Sequence, residues 1–521
     1  MTSKRVTINI YLLKKGRNPF EEIKIDDFTP VFEIPVGSSK KAMLYFKISG
    51  GEPDWLLALK DLSGFTGTIG ASSSPQAMLF VRSGQRWFVI TFGHAWQRVA
   101  NAGIISDFGS RCVLNMADPD SLVSIRRDRI ASDSLQAIEQ IPDKDEIHRF
   151  GMDIEKDLLR GVKARIDYNL GFGELVVGSE SFKCTIDLEK IKIVELCRRA
   201  LNFYGRNTVA KNFEWFNKIR NETDENKVKQ LEIRLARSIS LGLKTVILNI
   251  PDLLAWDQYD IFSYKRSKKG AYPTSEPLDA IHWRRAHAKG KVTPQIIYDS
   301  CVYAYKSGQT HLVTKWPLRK CLNATVKLGK ELYVTQSGAW YKVANDFLYE
   351  TDKSIANIPL DNRRYPKIKT SETEGQYNKR LSTEFKSRYF HLDKDLIHVT
   401  GRSYIEVCDL FRWDGALICV KPWGGRSQDI SHLLQQAIVS GQLLASHPPY
   451  NLGVREKFAT SGFQKIWDRE ASKKSDAVFV LTLLRGCKKE NLPFFAKVAL
   501  VSCVRNLTQM RYRVRYAQVN Q

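Results

Sequence analysis

The segment that most constrains this chain is residues 404–444, YIEVCDLFRWDGALICVKPWGGRSQDISHLLQQAIVSGQLL. It reads as strand, tight turn, strand, loop and helix. Residues 404–411 are rich in β-formers, and the Asp414-Gly415 step that follows Arg412-Trp413 is a strong short hairpin signal. Residues 416–420 form a second apolar strand that delivers Lys421 at its end. From 429 to 444, Ile430, Leu433, Leu434, Ala437 and Ile438 recur at helical spacing against a polar opposite face. A hairpin followed by an amphipathic helix predicts an α/β layer. It also sets an acid, Asp409, beside a lysine, Lys421, on paired strands.

That pairing resembles the layout of metal-dependent nucleases of the restriction-endonuclease-like class. There a carboxylate holds Mg²⁺ or another divalent metal, and a lysine one strand over orients water or stabilises charge developing on the phosphorane. The resemblance implies Asp409 as metal ligand, Glu406 as second acid or ligand of a metal-bound water, and Lys421 as transition-state stabiliser. Gln435 and Gln436, on the following helix, reach the same edge of the sheet, and His432 is placed to touch a phosphate or to pack. Two departures stand out. The class has an acid two residues before the lysine, whereas here the triplet is Cys419-Val420-Lys421, and a thiol suits Mg²⁺ poorly. Glu406 lies three residues before Asp409, so a regular strand points them to opposite faces and a bulge is needed to join them. The same residues also fit a plain core hairpin with a snorkelling lysine, or a nuclease-like fold that binds without cutting.

The charge balance agrees with a polyanionic partner. The chain carries 80 Lys and Arg against 56 Asp and Glu, a formal net charge of +24. Nucleic acid, DNA or RNA, is the commonest intracellular polyanion. The most basic stretches, 256–270 and 282–291, interleave Tyr259, Tyr264 and Trp283 with Lys265, Arg266, Lys268, Lys269, Arg284 and Arg285. Cations beside aromatics are what phosphate tracking with base stacking needs. The nine cysteines show no CxxC pair or zinc spacing, and their odd number argues against a disulfide scaffold, so reduced, buried thiols in a cytoplasmic protein are expected. No apolar run approaches the roughly 20 residues that span a bilayer, so no membrane association is expected. No Walker loop, GxGxxG, HExxH or Ser-His-Asp order appears.

Along the chain the reading is α+β and multidomain. Residues 1–135 are expected to be β-rich, with a strand at 4–12, a hairpin at 78–92 and a strand in 112–130. Residues 136–250 are expected to be mainly helical, with helices at 150–166, 187–204 and 225–241. Residues 251–384 hold the basic stretches, a hairpin at 332–343 that echoes 79–90, and a polar linker at 351–380. Residues 385–521 form the α/β nuclease-like domain, with later strands at 477–484 and 511–518 around a helix at 494–509.

INIYLLKKG at the start, RWFVITFGH at 86–94, FGMDIEKDLLRG at 150–161, EGQYNKR at 374–380, ICVK at 418–421 and LPFFAKVAL at 492–500 carry a further likeness. The chain resembles a sporadically distributed, functionally uncharacterised bacterial family found near mobile and defence genes. That resemblance implies His or Cys at the position of Cys419. It also implies a nucleic-acid-directed defence protein, catalytic or purely sensing, acting as a homo-oligomer or with neighbouring defence proteins.

Overall fold

The computed structural model describes residues 5–520 except 36–40, 52–71, 100–102, 130–135, 146, 151, 153–156, 188–192, 244–245, 251–258, 269, 289, 393–396, 401–402, 424–426, 460 and 472–476. The chain is a mixed α+β protein with several sheets, divided into two compact units. One unit comprises 1–128, 136–228 and 339–341, the other 129–135, 229–338 and 342–521.

The first unit is built on a ten-stranded sheet. Its strands are β1 (Arg5–Leu12), β2 (Thr29–Pro35), β3 (Lys41–Gly51), β4 (Ser72–Ser83), β5 (Arg86–Phe92), β6 (Leu122–Arg129), β7 (Gln136–Asp145), β8 (Asp157–Arg165), β9 (Leu175–Gly178) and β10 (Phe182–Asp187), in the order β2-β3-β4-β5-β1-β10-β9-β8-β6-β7. Alternation in β1 buries Ile8 and Ile10, as expected, and β4 and β5 form the expected hairpin. Helices α1 (Phe108–Met116) and α2 (Ile193–Gly205) share one core with these strands through Phe108, Cys112, Val113, Leu196 and Cys197.

Two expectations are corrected here. Within the helix expected at 150–166, residues 157–165 form β8 instead, and 151 and 153–156 lie outside the described residues. Leu158 and Val162 are four apart, and an even spacing serves a strand as well as a helix. Arg160, between them, is not on a polar face but pairs with Asp128 at 3.3 Å and Glu180 at 3.6 Å. Residues 112–116, read as strand, belong to α1. Cys112, Val113, Leu114 and Asn115 are all buried, so that helix lacks the polar face that periodicity looks for. The region 136–250 accordingly supplies β7 to β10 before its helices α2 and α3 (Glu225–Ser240).

In the second unit, β11 (Ile261–Ser263), β12 (Cys301–Tyr305) and β13 (Leu312–Pro317) make a three-stranded antiparallel sheet, preceded in part by α4 (Ala280–His287). Strands β14 (Leu322–Leu328) and β15 (Glu331–Gln336) pair antiparallel further on. The C-terminal part is organised by a five-stranded sheet, β16 (Tyr389–His391), β17 (Leu410–Arg412), β18 (Ala416–Pro422), β19 (Val478–Leu484) and β20 (Arg513–Val519), in that order. The first three strands run antiparallel and the last three parallel. The central strands are apolar through residues 416–420 and, apart from Thr482, through 478–484 because both faces are covered there. On one face, α7 (Ser427–Ser446) and α8 (Phe494–Gln509) pack through Ile430, Leu433, Ala437 and Leu500 on Leu417, Cys419 and Leu481. Gly441 lets them approach closely, since a Cβ there would meet Leu507 at 2.7 Å. On the other face, α6 (Glu374–Glu384) sets Tyr377 and Leu381 against Ala416, Ile418 and Val420.

The expected hairpin is present, with Leu410 opposite Ile418, and Gly415 in its turn takes φ 80°. The expected strand 404–411 is broken, however. Residues 403–405 pair with 397–400, and only 410–412 join the main sheet. The polar stretch 351–380 is also more than a linker. It ends α5 (Asn345–Ala356), contains the start of α6, and contributes Asp361 to a buried ion network. Arg412, only 1% exposed, donates to Asp361 at 2.5 and 3.3 Å and to Asp414 at 2.7 and 3.0 Å. Polar composition there reflects this network, not a solvated connector. Arg412→Ala strands the Asp361 carboxylate in the core, so it is expected to cost about 3–5 kcal/mol in urea unfolding. A loss below about 1 kcal/mol would show that the network is dispensable.

Candidate active site

The site is assembled where β17 stops pairing with β18. Asp409 N donates to Ile418 O at 3.0 Å, the last regular contact before the chain turns off. Beyond it the Asp409 carboxyl accepts from Val420 N at 2.8 Å. Asp409 is 1% exposed, and its pKa is pushed up to about 8. Burial is the main cause. The Val420 N–H opposes it, the Glu374 charge raises it further, Lys421 lowers it, and Glu406 raises it. At neutral pH the group is therefore mostly an uncharged acid.

Lys421 leaves the end of β18 and binds Glu374 at 2.6 Å, with both side chains partly exposed. Burial would lower the lysine pKa, but the hydrogen bond and charge of Glu374 outweigh it and raise it. Glu374 is the first residue of α6, where a capping box of Thr373 and Gln376 fixes the helix start and the helix dipole favours an acid. Past the strand break, Glu406 and Val407 run along α7. Gln436 donates to Glu406 at 3.1 Å, and Ser440 donates to Val407 O at 2.6 Å.

The structure thus brings together Asp409, Lys421, Glu406 and Gln436, as the sequence suggested, and adds Glu374, which sequence reasoning missed. The Thr373-x-x-Gln376 box marked a helix start, but nothing local tied that start to a strand some 47 residues later. Gln435 and His432 are exposed on α7. Cys419 is fully buried in the α7–α8 core, and burial pushes its thiol far above the ordinary range. It packs the core and offers no ligand, which corrects its supporting role.

The oxygen donors are of the kind a divalent ion prefers, yet as they stand they do not fit one. Asp409 is biased toward its neutral form by burial and is already bonded, Glu374 is engaged by Lys421, and Glu406 is held by Gln436. Among the described residues, no three His, Cys, Asp or Glu side chains are arranged to hold a metal.

The expected basic surface is only partly present. Lys265, Arg266, Lys268 and Arg285 are exposed, and Lys269 lies outside the described residues. Arg284 is instead structural, donating to Ser240 O at 2.7 Å. The interleaved aromatics are corrected too. Trp283, Tyr259 and Tyr264 are buried, and the Tyr264 hydroxyl is tied to Pro277 O. They cannot stack on bases.

A model for a family of unknown function, DUF6119, matches residues 8–520. No curated protein and no solved structure matches significantly. No helix among the described residues is long and apolar enough to cross a membrane.

Because the folded pKa of Asp409 is raised, the stability it contributes is complete below the unfolded carboxyl pKa and is lost as pH climbs through about 8. Asp409→Asn keeps an acceptor for Val420 N–H but cannot ionise. Its unfolding midpoint is expected to fall less than the parent's between about pH 6 and pH 9. Parallel pH profiles for the two proteins would show that Asp409 titrates normally.

Proposed function

The chain belongs to the family of unknown function DUF6119, and since that membership names no reaction, we propose from the site itself that it is a nucleic-acid-directed protein with a restriction-endonuclease-like phosphodiesterase domain at its C-terminus. The observation that carries this reading is Asp409, just before β17 and hydrogen-bonded to Val420 N of the neighbouring β18, beside Lys421 at the end of β18, with Glu374 and Glu406 close enough to perturb Asp409. A buried acid with a raised pKa beside a partly exposed lysine, at the carboxyl end of a strand that pairs parallel with its neighbour, supports a functional site. The net charge of +24 supports a polyanionic substrate. A role in antiviral defence is part of the same proposal and rests on the distribution that the family resemblance implies.

In this reading Lys421 supplies positive charge to a phosphate whose charge grows as the ester breaks, a contribution to rate more than to affinity. Glu374 holds the ammonium at the site entrance until substrate displaces it. Ionisation of Asp409 is the condition for it to act as an oxygen donor.

A second reading, binding without cleavage, is favoured by the neutral Asp409 and by the core position of Cys419. Nuclease assays with Mg²⁺ and Mn²⁺ on single- and double-stranded DNA and RNA separate the two. Cleavage is expected to rise between about pH 7 and pH 9 as Asp409 ionises, and Asp409→Asn and Lys421→Ala are each expected to lower it by about 100-fold or more with binding retained. Retained binding with no cleavage under any of these conditions would leave the binding-only reading. Full activity in Asp409→Asn would overturn the assignment of the site.

A further inference from the structure

We propose that the partly exposed β12-β13 patch around Tyr303 and Lys315 is a platform for single-stranded nucleic acid, with a base stacked on Tyr303 and phosphates held by Arg266, Lys315 and Arg319. This rests on the nucleic-acid reading above and specifies its substrate class.

Residues 259–321 hold twelve Lys and Arg against four Asp and Glu, so eight of the twenty-four net charges fall in about an eighth of the chain. The four acids are all engaged locally. Asp260 accepts from Ser307 N, Asp279 from His282 N at the start of α4, and Asp299 from Gln295. Glu276 accepts from Tyr264 N and faces His287. Among the described residues, Arg266, Lys315 and Arg319 have no carboxylate partner, so their charge is available to a polyanion.

Strand parity decides which aromatics are usable. Val302 and Ala304 of β12 point into the core, where Trp316 packs edge-on against Tyr259 at 5.3 Å. Tyr303 points the other way, beside Cys301, and is only partly covered. Its direct partner across the ladder is Lys315, which is exposed. Burial raises the Tyr303 phenol pKa and the Arg266 charge opposes that rise, so Arg266 lies near the same ring. At the end of the same strands Arg319 lies 4.9 Å over the half-exposed ring of Tyr298. That stacking leaves the guanidinium's fork of N–H donors free for a phosphate.

An aromatic ring flanked by unpaired cations takes an unstacked base and its backbone. A duplex hides its base faces and is read by a helix or ribbon protruding into a groove, which a flat three-stranded face does not provide. The occupant that fits is single-stranded.

The test is fluorescence anisotropy with the full chain and labelled poly-dT and poly-U oligonucleotides beside a duplex of the same length. Tyr303→Leu is expected to weaken single-strand binding about tenfold and to change duplex binding less than about twofold, while Tyr303→Phe binds like the parent. Arg266→Gln with Lys315→Gln is expected to reduce the slope of log affinity against log salt by about 1.4 on single strands. Equal losses on single strands and duplex, or no loss in Tyr303→Leu, would overturn the platform. Either result is independent of cleavage, so an inactive chain that still binds single strands through Tyr303 supports the platform while removing the phosphodiesterase.

Discussion

On the central strand of the C-terminal sheet a side chain takes the place of a backbone carbonyl. Where β17 ends, the Val420 N–H of β18 has no ladder partner, and a buried N–H left unpaired costs about 1–3 kcal/mol. Asp409 supplies the acceptor at 2.8 Å. Three consequences follow. The carboxyl must be buried, which lifts its pKa towards neutrality. The chain before it is released from the sheet, so Glu406 and Val407 run to α7 and meet Gln436 and Ser440. And because 406–409 is not a regular strand, the opposite-face objection to Glu406 and Asp409 acting together disappears.

Two clusters of charge lie on the same hairpin and differ in how they are balanced. Around Arg412 every donor of the guanidinium fork meets Asp361, Asp414 or Tyr365, and almost nothing is exposed. A buried charge so fully matched fixes position and does little else. Around Lys421, three carboxyls face one ammonium in a partly wet setting, and the surplus is relieved by protonating Asp409. Such a group is poised to respond to an incoming cation, phosphate or change in pH. The first cluster holds the hairpin's turn end, and the second leaves unevenly balanced charge at its other end.

The amphipathic helix α7, the apolar strands β18 and β19 and the Asp414-Gly415 turn were all legible because each is set by local pattern. The errors fell where burial was complete on every side. Helix α1 has no polar face to reveal its period, and β8 carries a buried Arg160 that mimics a helix's solvent side. The closeness of Asp409, Glu406, Lys421 and Gln436 was legible because they lie within one contiguous hairpin and helix. Glu374 was not, since its role depends on α6 crossing the opposite face of the sheet, a tertiary fact that no short window contains. Cys419 showed the converse. Its odd chemistry in the motif drew attention, but strand alternation points it into the core.

The basic region shows the same limit from the side of charge. Composition located the excess of lysine and arginine correctly, because an unpaired cation is nearly always exposed. It misjudged the aromatics, because large rings are the side chains a small sheet most needs for its interior. Tyr264 and Trp283 are adjacent to cations in sequence, and both, like Tyr259, are buried. Tyr303 lies outside any basic run, yet its register opposite exposed Lys315 leaves it partly exposed beside a cation. Nearness along the chain is therefore a poor guide to an aromatic–cation surface; parity and register across the ladder decide it.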